Sequence, residues 1–128
     1  MKYNLLMLLI LLPLSACKQK PADGNKMPVK DGSYDGACLW NNTAVTPNLK
    51  SCTEFYNAND QQVQQQKNGC PTLPGGTYIE TKCELAGSVG KCSANLQNIS
   101  IVVYYYAGHT VATAQADCLK YSGLFTSL

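Results

Sequence analysis

The chain has 128 residues, 45% of them hydrophobic, but much of that fraction sits in one nearly unbroken apolar run from Leu5 to Leu14, so the remainder is more polar than the average suggests. Ten lysines, no arginine and eight acids give a formal charge of +2, too small and too scattered for the basic surface that nucleic-acid binding requires. Seven cysteines in so short a chain do not fit a reducing cytosol; they fit an oxidising compartment, where bridges reinforce a small core.

The amino-terminal segment has the order of a secretory signal: Lys2 gives a positive start, Leu5 to Leu12 an apolar stretch, and Ser15-Ala16 small residues just before Cys17. The apolar run is well short of the roughly 20 residues a helix needs to cross a bilayer, which predicts removal of residues 1–16 rather than a permanent span. Leu14-Ser15-Ala16-Cys17 resembles the lipobox of bacterial lipoproteins, where a peptidase cuts before a cysteine carrying a diacylglycerol thioether. The resemblance implies that Cys17 carries the lipid, including fatty acyl chains such as palmitate. Several chains together satisfy the rule that stable anchoring needs more than one lipid signal. In Gram-negative lipoproteins an Asp after the lipidated cysteine retains the protein in the inner membrane; Lys18 stands there, which implies the outer membrane. Beyond this motif the mature chain is similar only in kind to small cysteine-rich envelope lipoproteins.

Residues 17–33 are rich in Lys, Gln, Pro, Asp, Gly and Asn, with Met27 and Val29 the only large apolar residues, so they cannot bury enough surface to offset their ordering entropy. They are predicted to form a flexible tether spanning on the order of 20–25 Å. Residues 34–128 form one small domain.

Within it, Gly36-Ala37-Cys38 is echoed by Gly90-Lys91-Cys92, Phe55-Tyr56 by Tyr104-Tyr105-Tyr106, Cys70 by Cys118, and Gly76-Thr77-Tyr78 by Gly123-Leu124-Phe125. The recurrence predicts an α+β domain built of two ββαβ units, the first with the longer hairpin. Asn59 or Asp60 caps the first helix, whose Gln-rich run surrounds Val63. Ile99 to Tyr106 alternates Ile99, Ile101, Val103 and Tyr105 with Ser100, Val102, Tyr104 and Tyr106, the strongest strand pattern in the chain. Thr110 caps the second helix, with Val111, Ala114, Cys118 and Leu119 on one apolar face.

Setting Cys17 aside leaves six cysteines, whose count alone leaves the connectivity open. A repeated hairpin-to-helix bridge pairs Cys38 with Cys70 and Cys92 with Cys118, leaving Cys52 for Cys83. No closely spaced cysteine pair favours zinc.

Catalytic patterns are missing. His109 is the only histidine and lies where a helix should begin, with no evident nucleophile or orienting carboxylate. Glu80 and Glu84 flank a predicted strand end, but nothing selects them as an acid–base pair. No phosphate loop or dinucleotide fingerprint occurs, and no cofactor is expected. Tyr104 to Tyr106 place rings on both faces of one strand, so at least one ring is expected outside the core, where it either edges a sheet packed by helices on its other face or offers contact to a sugar or protein. The expectation is a non-enzymatic envelope lipoprotein, bound to the membrane through Cys17, with an envelope protein or glycan as partner. The alternative is an inhibitor of a hydrolase such as lysozyme or a protease, presenting the loop from Asn41 to Leu49.

Overall fold

The computed structural model describes residues 32–128; the signal segment, Cys17 and nearly all of the tether lie outside the described residues. In chain order the elements are β1 (Tyr34–Asn42), β2 (Leu49–Tyr56), α1 (Asp60–Gly69), a 3-10 turn (Cys70–Thr72), β3 (Gly76–Ile79), β4 (Gly90–Leu96), β5 (Ile99–Tyr105), α2 (Val111–Lys120) and β6 (Leu124–Ser127). The six strands form one antiparallel sheet in the order β3-β1-β2-β5-β4-β6. The domain is therefore of mixed α+β class, with three disulfides: Cys38–Cys70, Cys52–Cys83 and Cys92–Cys118.

The two hairpins differ in how they turn. Gln97 and Asn98 both take positive φ, the backbone of a tight two-residue turn whose twist matches that of the strands it joins. Residues 43–48 instead form an exposed loop between β1 and β2. Both helices start on reciprocal caps. Asn59 accepts from the Gln62 amide while the Gln62 side chain accepts from the Asn59 amide, each at 2.9 Å. Thr110 and Thr113 exchange the same pair of bonds at the start of α2.

The apolar face expected of α2 is narrower than the sequence pattern suggests. Ala114 and Cys118 are fully buried, whereas Val111 and Leu119 are 46% and 66% exposed. Neighbouring residues on a helix are about 100° apart, so Leu119 falls outside the strip that Cys118 marks, and Val111 sits in the first turn, ahead of Ala114. In α1 no residue is buried, and Val63 is only half-buried. This helix is held at its ends, by the Asn59 cap and by the Cys70 bridge to β1.

The helix-bearing face of the sheet packs Cys38, Phe55, Ala94, Ile101, Val103 and Tyr105 around the two bridges. The opposite face has its own cluster of Ala37, Cys52 and Tyr106, edged by Leu39, Ile79, Cys83 and Tyr104. The connection from β3 to β4 lies over this second face. Cys83 fastens it to Cys52, and the Cys83 amide donates to Glu54 Oε1 at 2.9 Å. Glu54 is almost wholly buried, and its other oxygen accepts from the Tyr56 hydroxyl at 2.6 Å, so the carboxylate is not left unpaired. The Tyr106 hydroxyl donates to the Glu84 carbonyl, and the Tyr34 hydroxyl to that of Thr81.

Glycine is required where β6 begins. A Cβ on Gly123 would lie 2.4 Å from Cys92 Sγ and 2.9 Å from Cys118 Sγ, so the chain passes against the bridge itself. Gly123→Ala is expected to destabilise the domain by about 1–3 kcal/mol through overpacking. Urea unfolding measures this, and an unchanged midpoint would contradict the contact.

Candidate functional site

A cleft of about 1180 Å³ opens on the helix-bearing face. Its position follows from where the bridges attach. Cys38 is on β1 and Cys92 on β4, and these strands flank the central pair β2 and β5. Three strand spacings separate β1 from β4, about 14 Å. Helices in direct contact pack about 8–10 Å apart, so two helices fastened at these places leave a gap between them above the central strands.

Side chains on β2 and β5 form the floor. Phe55, Ile101, Val103 and Tyr105 supply its apolar part, with Ser51 opposite Tyr105 and Thr53 opposite Val103. Gln66 and Leu73 line the α1 side; Thr113, Asp117 and Tyr121 line the α2 side. Trp40 and His109 also line the cleft, Trp40 from β1 and His109 from the segment before α2.

The polar groups on the α2 side are tied together. Tyr105 is fully buried, and its hydroxyl donates to Asp117 Oδ2 at 3.1 Å, while Lys120 Nζ lies 3.0 Å from Asp117 Oδ1. Burial, then the Asp117 charge, raises the Tyr105 pKa, so the phenol keeps the proton it donates. The His109 ring packs edge-on against Tyr105, with centroids 5.1 Å apart. Burial lowers the His109 pKa by disfavouring the imidazolium, and the Asp117 carboxylate opposes that shift.

Two nitrogens of the lining stand apart. Trp40 Nε1 and His109 Nε2 are closed off from solvent and have no hydrogen-bond partner among the described residues. An indole N–H can only donate, and a buried polar atom without a partner costs about 1–3 kcal/mol.

Comparison with protein-family models, with curated proteins and with solved structures finds no match. The cleft therefore has to be read from its own chemistry. Among the described residues no group of three or more His, Cys, Asp or Glu could hold a metal ion, and no helix is long and apolar enough to cross a membrane.

The residues singled out in the sequence are distributed unevenly. The six cysteines meet in pairs around the sheet, whereas Cys17 lies outside the described residues. Glu80 is exposed and pairs with Lys67 at 3.7 Å, on the outside of the domain. The tyrosine run does not form a surface: Tyr105 and Tyr106 are buried and Tyr104 is half-buried, because the β3–β4 connection covers the face where an exposed ring was expected. His109 does precede a helix, but it also lines the cleft, a position that sequence reasoning missed along with Trp40 and Asp117. One signal was available. Ser51 and Thr53 follow one another between Leu49 and Phe55 on one face of β2, and small polar residues on the core-facing side of a central strand mark a floor that no helix fills.

His109 gives the site a dependence on pH. The unfolded chain binds a proton near the ordinary histidine pKa of about 6.5, whereas the folded chain resists until lower pH, so lowering pH through this window favours unfolding. The urea midpoint is expected to fall from pH 7 to pH 5 and to fall less in His109→Gln. Equal slopes for the two proteins would contradict the assignment.

Proposed function

We propose that the chain is a non-enzymatic envelope lipoprotein, anchored through lipid on Cys17 and presenting the cleft between α1 and α2 for binding. The anchor rests on Leu14-Ser15-Ala16-Cys17 and on Lys18 in the place where an Asp would retain the protein in the inner membrane. The observation that carries the binding role is the open cleft, with its hydrogen-bonding floor and two unpaired nitrogens. On this reading the domain stands on its tether at the outer membrane and takes an envelope protein or glycan as partner.

We further infer that the domain consists of two ββαβ units. Support comes from the element order and from the strand order, which places β3-β1-β2 beside β5-β4-β6. It also comes from the matching positions of Gly76 and Gly123, each of which a Cβ would press against its unit's helix-end cysteine, at the Cys70 carbonyl and the Cys118 sulfur.

The hydrolase-inhibitor reading draws on one observation, the exposed loop of residues 43–48 between two paired strands. If lysozyme and trypsin keep full activity in a large excess of the purified protein, that reading loses its support for those enzymes.

Metabolic labelling with radioactive palmitate tests the anchor. Wild-type protein is expected to carry label and to fractionate with the outer membrane, and Cys17→Ala to lose both. A mutant that stays equally labelled and membrane-bound would overturn the assignment.

A further inference from the structure

The chemistry of the cleft narrows what it can hold. At about 1180 Å³ it exceeds the roughly 300–1,000 Å³ of sites for single small molecules, which suits an elongated occupant. Its only charged side chains are Asp117 and Lys120, which pair with each other, so the lining is neutral. No cation is left over to compensate a phosphate or a carboxylate, which disfavours an acidic ligand.

A peptide laid along the floor meets a different obstacle. β2 is hydrogen-bonded to β1 and β5, and β5 to β2 and β4, so the floor strands have no open edge on which a peptide could add as a further strand. Polar contacts must come from side chains instead. The cleft offers hydroxyls at Ser51 and Thr53, an amide at Gln66, and apolar and aromatic surface at Phe55 and Trp40.

That mixture matches a sugar chain, whose rings present apolar C–H faces and whose edges carry hydroxyls that both donate and accept. Trp40 Nε1 requires an acceptor oxygen, and a hydroxyl can pair with His109 Nε2 in either tautomer. We propose that the cleft binds a neutral oligosaccharide, with Trp40 and His109 turning toward the ligand to pair their free nitrogens with its hydroxyl or amide oxygens. This rests on the reading of the cleft as the binding surface of the anchored domain. Both nitrogens are shut off from solvent in the structure, so seating the ligand requires the two rings to move.

Trp40 is the chain's one tryptophan, so its fluorescence reports on the cleft directly. The full chain, purified in a polyoxyethylene detergent rather than an alkyl glycoside, is titrated with chitotetraose, with maltotetraose and with an end-capped tetra-alanine peptide. Calorimetry alongside records binding that leaves the indole unperturbed. One of the two oligosaccharides is expected to bind saturably with a midpoint below about 1 mM, or about −4 kcal/mol. His109→Ala and Gln66→Ala are each expected to raise that midpoint, His109→Ala about tenfold, while Leu124→Ala, outside the cleft, leaves it unchanged. Gln66 is a half-buried rim residue, so its variant keeps the test valid should His109→Ala fail to fold.

No saturable binding of either sugar, tighter binding of the capped peptide, or binding unaffected by the cleft variants would each overturn the proposal. Palmitate labelling at Cys17 in the same preparation separates the two readings. A labelled protein that binds no sugar defeats the glycan assignment and leaves the anchored lipoprotein standing.

Discussion

The architecture depends on where two disulfides meet the sheet. Cys38–Cys70 and Cys92–Cys118 fasten the end of each helical segment to β1 and β4, the strands next to the central pair. Neither helix has the apolar face to stay docked on packing alone: α1 buries no residue, and α2 buries only Ala114 and Cys118. Bridges closing loops of this size contribute about 3–4 kcal/mol each in the chain-entropy account, several times the gain from an N-cap. The helices therefore stay where covalent bonds put them rather than where hydrophobic contact would draw them. If they were free to maximise burial they would close over the floor of β2 and β5, and the cleft would be filled by their own side chains.

Holding the helices apart leaves the polar floor residues Ser51 and Thr53 only half-buried, and the second face of the sheet is closed by a different device. The β3–β4 connection covers Ala37, Cys52 and Tyr106, and Cys83 locks it in place. Glu54 belongs to this arrangement. A buried carboxylate is costly unless its oxygens are satisfied, and the Tyr56 hydroxyl and the Cys83 amide meet that requirement. The bond to Cys83 lets Glu54 fix the same connection that the Cys52 bridge fixes, so one segment is held by a covalent and a polar attachment side by side. The result is a central strand, β5, buried on both faces although helices lie on only one of them.

Local chemistry made much of this legible. The alternation of Ile99 to Tyr106, the caps at Asn59 and Thr110 and the involvement of six cysteines in bridges depend on neighbouring residues or on parity, and each has its counterpart in the structure. The exposure of Val111 and Leu119 was not legible, because it depends on how wide a strip of α2 the sheet can meet. The burial of Tyr106 was hidden for a similar reason: the cover over it comes from residues around Cys83, which carry no periodic pattern. The cleft was least visible of all. It is a gap between two elements, and a gap has no residues of its own; only Ser51 and Thr53, polar where a closed core would want aliphatic side chains, betray it.

In the proposed binding role, the two unpaired nitrogens set stability and recognition against each other. At about 1–3 kcal/mol apiece, the lost hydrogen bonds of Trp40 Nε1 and His109 Nε2 are a sizeable fraction of the 5–15 kcal/mol that separates a typical folded domain from its unfolded chain. A core held by packing alone would be poorly placed to carry that deficit, whereas three bridges offset it. Under the proposed binding role the same deficit becomes useful when a ligand arrives. A group that pairs with either nitrogen removes an existing cost as well as adding a contact, so affinity depends on supplying oxygens at those two points more than on the area covered. A purely apolar occupant, however well it fits the floor, would leave both costs in place.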